Sequence, residues 1–367
     1  MGVIQPVQHQ PQRSDLPSMT STPAGLDVGS HALKVLCLEE TPSALRLVSY
    51  GSAPCPDGAI VKGVVADPPA LGAALKALFA DNEVGPRRVV LALKGPGLFV
   101  RRFAVPASDP EEMAELIGWE LEQLIPWAIE EIHFDYHLER SNGVEETQEV
   151  VVVAVRREVL MGYQQALEAA GLEAVAVDHA SFALENTFNL CFEVNPTKVV
   201  ALLDLGATIT SIHLMNGERT VEVRDEPIGG RAVVEHVASR CGTTPQAVEL
   251  FLRGQRPEAI DPATAAVALQ EAAEGVADRL LMAFNAIGYG PGGTPITDIV
   301  LGGGLARVPT VERCIAERLG GPTELLNPFF NVEYDEARWD HDQLQESAPA
   351  TAVVVGLAIR ALLEPSA

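Results

Sequence analysis

The chain has no run of eighteen or more apolar residues, the length a bilayer-spanning helix requires. Positive charge is also scarce: 26 Lys and Arg stand against 50 Asp and Glu, a formal net charge of −24. Such a surface repels nucleic-acid phosphates and anionic lipid headgroups, which excludes nucleic-acid binding and membrane adhesion by general electrostatics. Cysteine is sparse and scattered, at Cys37, Cys55, Cys191, Cys241 and Cys314, without a CxxC pair. That excludes a disulfide framework and a zinc motif, and reads as reduced thiols in a cytosolic compartment. His133 and His137 are four apart but fall in an alternating, strand-like run, which does not read as a metal site. The first 24 residues lack the apolar core of a secretory signal, and Pro6 stands where a myristoylation signal needs Ser or Thr. Rich in Gln, Pro and Ser, this leading segment 1–24 is expected to be disordered.

What is present is enough apolar material, 47% of 367 residues, to fill two domains. Three glycine-marked strand ends stand out: Gly25-Leu26-Asp27-Val28-Gly29-Ser30, running on to Lys34; Leu203-Asp204-Leu205-Gly206-Ala207-Thr208-Ile209-Thr210; and Ile299-Val300-Leu301-Gly302-Gly303-Gly304. Small residues at a strand end let backbone N–H groups approach an anion. The first two ends also place an Asp two residues before a Gly, where a carboxylate suits a hydrated Mg²⁺ beside a triphosphate. In this order the three segments resemble the phosphate-1, phosphate-2 and adenosine loops of the actin-like ATPase superfamily. That resemblance implies an α/β, actin-like two-domain fold with ribonuclease H-like halves, closing on ATP and Mg²⁺.

Periodicity organises the rest. Residues 26–38 and 44–52 read as paired strands, and 71–79 as a helix. Residues 89–93 and 99–105 read as strands flanking a Lys94-Gly95-Pro96-Gly97 hairpin signal. A helix then starts at the Asp109-Pro110 cap and runs to Pro126, with an apolar face through Met113, Ile117 and Leu121. A strand over 132–138, a polar loop over 141–148, a strand over 150–155, a helix over 158–170 and a strand over 174–178 follow. These make 87–178 a small α/β insertion in a first domain of 25–198. The second domain is expected over 199–363, with a terminal helix at 351–362 packing back on the first.

Within the insertion, Glu120-Leu121-Glu122-Gln123-Leu124-Ile125-Pro126, Asp135-Tyr136 and Val153-Ala154-Val155-Arg156-Arg157-Glu158-Val159 resemble the PilM family of type IV pilus assembly proteins. So do Pro227-Ile228-Gly229-Gly230, Leu325-Leu326-Asn327-Pro328-Phe329 and Gly356-Leu357-Ala358-Ile359-Arg360. The resemblance spans about residues 24–363. It implies an ATP-binding scaffold beneath the inner membrane that holds the cytoplasmic N-terminal tail of PilN in a groove between insertion and first-domain core. Other inner-membrane proteins of the pilus complex are implied partners, with membrane association only through partners; self-association stays open.

By that resemblance the nucleotide-binding residues are Asp27, Gly29, Ser30, Lys34, Asp204, Gly206, Ala207, Thr208, Thr210, Glu249, Gly302, Gly303 and Gly304, with Asp27 and Asp204 on Mg²⁺. Lys34 reads equally as a phosphate contact or an exposed strand cation. Phe251 stands near the place of an expected lysine, and no general base is evident beside either loop. Asp204 is the one catalytic candidate, so at most a weak ATPase is expected. Trp119, Leu124 and Trp127 are candidates for the partner groove, or else cover the insertion's own core. A cell-division actin of the FtsA type would need an amphipathic tail, and a GspL-like secretion protein a following transmembrane helix. A sugar kinase would need a catalytic Asp beside a sugar pocket.

Overall fold

The computed structural model describes residues 2–3, 22–139 and 147–364. The first domain is built on β1 (Gly2–Val3), β2 (Ala24–Val28), β3 (Ala32–Glu40), β4 (Leu45–Pro54), the small pair β5 (Ile60–Val61) and β6 (Val64–Val65), α1 (Pro68–Asp81) and β7 (Arg88–Leu93). The chain then leaves through β8 (Leu98–Pro106), α2 (Pro110–Leu124), β9 (Ile132–Leu138) and β10 (Thr147–Arg156), and returns by α3 (Arg157–Ala170), β11 (Glu173–His179) and α4 (Ala180–Cys191). The second domain holds β12 (Val199–Leu205), β13 (Thr210–Asn216), β14 (Arg219–Glu226), α5 (Gly230–Cys241), α6 (Pro245–Leu252), α7 (Pro262–Asn285), β15 (Asp298–Gly302), α8 (Pro309–Leu319) and β16 (Thr323–Leu325). Finally β17 (Val332–Glu333) and α9 (His341–Ala361) cross back to the first.

The two domains repeat one topology. In the first, β4-β3-β2 is an antiparallel meander continued by β7 and β11 in parallel; in the second, β14-β13-β12 is continued by β15 and β16. The residue runs explain the pairing. All of β2 and β12 is buried, as a strand covered on both faces must be. The helices start at chemically defined points: Asp67, Asp261 and Asp340 each accept a backbone N–H of the first turn of α1, α7 and α9. Aliphatic side chains fill separate cores on the outer faces of the two sheets, while a third core, with Ala183, Leu202 and Leu357, lies between the domains around α4 and α9. There α9 approaches β2 and α4 so closely that a Cβ on Gly25 would meet Ala358 N at 2.6 Å and one on Gly356 would collide with the Ala183 carbonyl oxygen.

Several boundaries differ from those read in the sequence. The run 26–38 is two strands, broken at Gly29–His31 where the chain turns. Lys94-Gly95-Pro96-Gly97 does not close a hairpin: β7 belongs to the seven-stranded core sheet and β8 to the three-stranded insertion sheet, ordered β8-β10-β9. The insertion is therefore narrower than 87–178, because α3 packs on α1 and β11 pairs with β7 in the core. The terminal helix is longer than 351–362, beginning at the Asp340 cap, and β17 pairs with β4, so the chain rejoins the first domain well before residue 363. The leading segment is also not wholly structureless, since Gly2–Val3 pairs with β11 and Ala24 opens β2. Residues 1 and 4–21 of that segment, and 141–146 of the expected polar loop, lie outside the described residues; Thr147 and Gln148 already belong to β10.

Candidate functional site

Equivalent strands deliver equivalent carboxylates to one cleft. Asp27 and Asp204 are the penultimate residues of β2 and β12, and they are 8% and 3% exposed. Asp27 lies opposite Lys34 in the β2–β3 register, and Lys34 Nζ donates to its Oδ2 at 2.8 Å. Lys34 is thus neither an exposed strand cation nor a free phosphate contact here, but a half-buried partner of Asp27. Asp204 finds its cation in the other domain: Lys94 Nζ donates to Asp204 Oδ2 at 2.6 Å. Burial works against the charge of Asp27, but the ammonium groups of Lys34 and Lys94 outweigh it and hold the carboxyl below its usual range. Burial opposes the charge of Lys94 too, yet Asp204, Asp27 and Asp225 raise its pKa above the ordinary lysine value.

Lys94 is the site residue that the sequence reading missed. Its tetrapeptide looks locally like a turn, and only the parallel pairing of β7 beside β2 carries it into the cleft. A signal did exist. The strand equivalent to β7 in the second half is β15, which ends in the three glycines, so the residues following β7 occupy the corresponding place.

The two turns meet. Ser30 Oγ and Thr208 Oγ1 are 2.9 Å apart across the domains, and Arg231 donates to the Ser30 carbonyl at 3.4 Å. Glu249, half-exposed on α6, brings Oε1 to 3.9 Å from His31 Nδ1. Beneath this contact is a cavity lined by Asp27, Ser30, Lys94, Tyr163, Thr208 and Ile209, among others. Backbone supports both turns: Gly29 N–H donates to the Ala32 carbonyl and Gly206 N–H to the Ile209 carbonyl. The first N–H groups of α5, on Gly230 and Arg231, donate to the carbonyls of Gly206 and Ala207. Thr210 is fully buried and its hydroxyl donates to the Ile228 carbonyl, so it holds the turn from behind.

The triple glycine divides by role. Gly302 packs against Leu184 and Ala352, and Gly303, at φ +89°, has the Leu205 carbonyl oxygen where its Cβ would stand. At both positions protein fills the direction a side chain would take, which accounts for the glycine; the expected backbone contact with a nucleotide is a separate matter. Gly304 alone has open space where a side chain would project. Phe251 packs half-buried in the small core of α5, α6 and the start of α7.

The groove candidates also separate. Trp119 is 61% exposed and Leu124 is 44% exposed. Trp127, by contrast, packs on the insertion core, with the Arg156 guanidinium 5.9 Å from its ring centroid.

The donor set suits a magnesium-bound polyphosphate. Two carboxylates offer hard oxygen ligands, two lysines offer charge for phosphate, and the turns offer backbone N–H groups. Each carboxylate is already neutralised by a lysine, so an arriving metal-phosphate pair would exchange partners with both rather than enter a bare anionic pocket.

Residues 25–362 match the family model of the type IV pilus assembly protein PilM. The chain is similar to a solved protein of the PilM-PilN type IV pilus biogenesis complex, at 30% identity and a TM-score of 0.83, over 94% of this chain and 99% of that one. More distantly it resembles the ethanolamine utilization protein EutJ of Carboxydothermus hydrogenoformans, at 14% identity and a TM-score of 0.53, over 94% and 90% of the two chains. It also resembles a diol dehydratase-reactivating factor solved in its nucleotide-free form, at 10% identity and a TM-score of 0.51, over 94% and 100%. At those identities the last two speak to the fold alone, which is the actin-like two-domain fold.

Proposed function

The chain belongs to the PilM family of type IV pilus assembly proteins, and from that premise we propose that it is an ATP-responsive scaffold for the cytoplasmic tail of PilN. The observation that carries the nucleotide half is the paired constellation Asp27–Lys34 and Asp204–Lys94, converging from two domains on one cleft. Asp27 and Asp204 would hold Mg²⁺. Lys34 and Lys94 would meet the phosphates, Gly29, Ser30, Gly206, Ala207 and Thr208 would wrap them, and Glu249 and Gly304 would border the nucleoside.

The PilN half rests on the similarity to the protein of the PilM-PilN complex. Among the described residues no helix is long and apolar enough to cross a membrane, so a tethered partner would provide attachment to the inner membrane from the cytoplasmic side. Nucleotide-dependent movement of one domain on the other would bias the groove beside the insertion through differential contacts in the two states.

Calorimetry tests both halves. Mg-ATP should bind the full chain, and Asp27→Asn or Asp204→Asn should each cost about 1.5–3 kcal/mol, the scale of a lost charged contact. Gly304→Val should block binding without disturbing the fold, because its side chain enters open space. A PilN-tail peptide should bind at micromolar affinity or better, and a charge at Leu124 should weaken it. Unchanged nucleotide affinity in both Asp variants removes the cleft from the reading, and a folded chain that ignores the peptide removes the scaffold.

A further inference from the structure

The strand β11 closes one side of the seven-stranded sheet, next to β7, and without a further neighbour its outer backbone groups would be unpaired. Such an edge is a template for strand addition. In this molecule the place is taken. Gly2–Val3 lies parallel to β11, with Gly2 in register with Ala176 and Val3 with Val177. The same two residues also lie against β9, the outer strand of the insertion sheet. Gly2–Val3 therefore sits where the first-domain core and the insertion come together.

We propose that this segment is an intramolecular occupant of the partner groove, and that it competes with the partner's extended tail for the edge of β11. This rests on the reading above that a peptide tail is held between insertion and core. Val3 is β-branched and suits an edge pairing, and it is covalently tethered to β2. β1 and β2 are separated by only β11 and β7, about 14 Å at the usual strand spacing. A tethered segment of this kind acts at a local concentration on the order of mM. Even weak docking would then raise the concentration of free tail needed to displace it, and the groove would be covered whenever the partner is absent.

The experiment compares the full chain with one lacking residues 2–21 and with Val3→Pro, which cannot donate at that position. Hydrogen exchange is read at the amides of residues 173–179, and binding of a synthetic PilN-tail peptide by titration. Both variants should expose the amides of β11 that point toward β1, raising their exchange at least tenfold while the buried strand β7 is unchanged. Both should bind the peptide at least threefold more tightly than the full chain. Unaltered exchange in β11 overturns the occupancy, and equal peptide affinity in all three chains overturns the competition. A peptide that binds none of them counts against the scaffold reading of the preceding section, and the exchange comparison still decides whether the segment holds the edge.

Discussion

Glu185 on α4 and His213 on β13 lie 3.7 Å apart behind the cleft, both buried. Burial, reinforced by the carboxylates of Asp178 and Glu139, pushes Glu185 up to about 8 from an ordinary value of 4.5. Burial, opposed by the Ser181 carbonyl and aided by His179, lowers His213 to about 4. Both groups are therefore held neutral near pH 7, as a carboxylic acid beside a neutral imidazole rather than an ion pair. The sign of the linkage follows for Glu185. The folded form prefers the protonated acid, so its contribution to stability is complete below pH 4.5 and is lost as pH rises through about 8. Between pH 6 and 9 the native protein should lose about 2–3 kcal/mol on this account, at roughly 1.4 kcal/mol per unit. Glu185→Gln keeps the size and shape of the neutral acid and cannot ionise. The gap between its melting temperature and that of the native protein should widen in its favour as pH rises from 6 to about 8. Melting profiles that stay parallel across that range would show that Glu185 is already ionised in the fold.

At the level of elements, the Asp-x-Gly turns were legible because each local sequence contains its own reason: an apolar strand, a carboxylate and a small residue at the reversal. The helix 110–124 was legible for the same kind of reason, since Asp109 accepts the Glu112 N–H and Met113, Ile117 and Leu121 are buried on one face. What escaped was set by distant partners. Lys94-Gly95-Pro96-Gly97 carries the composition of a turn, and nothing within it says that the strands on either side belong to different sheets. Gly302 and Gly303 carry the composition of a ligand loop, and only the contact with Leu205 and Leu184 shows that they face protein. Gly25 and Gly356 belong to the same class, being required by the approach of α9 to β2 and α4. Gly356→Ala should therefore destabilise the protein by about 3 kcal/mol, the upper end for overpacking a close contact. Gly118→Ala, with open space around its Cβ, should be neutral or slightly stabilising, as expected for a helix interior. Thermal unfolding of the two variants side by side measures the difference, and equal melting temperatures would mean that α9 can shift away without loss.

For the molecule as a whole, the informative feature is how a chain with net charge −24 arranges its few cations. Lys34 and Lys94 are both placed at the cleft, where they offset Asp27 and Asp204 and leave a site that can receive an anionic ligand despite the acidic surface. The domains meet there through Ser30–Thr208, Lys94–Asp204 and Arg231–Ser30, contacts that tie the first turn and the end of β7 to the second domain. A phosphoryl group is wider than one hydrogen bond between hydroxyls, so a triphosphate entering between the turns, as proposed above, requires Ser30 and Thr208 to part. On that reading nucleotide affinity would be reduced by the fraction of molecules in which the turns remain together. Cysteines at both positions provide a direct test, because the side-chain oxygens are 2.9 Å apart and a disulfide can replace their contact. Oxidised Ser30→Cys/Thr208→Cys should lose measurable Mg-ATP binding, and reduction should restore it to within a few-fold of the native protein. Each single variant should bind nucleotide under both conditions. If the cross-linked protein binds Mg-ATP as tightly as its reduced form, the nucleotide does not enter between the two turns, and the contact of Ser30 with Thr208 is a permanent seam.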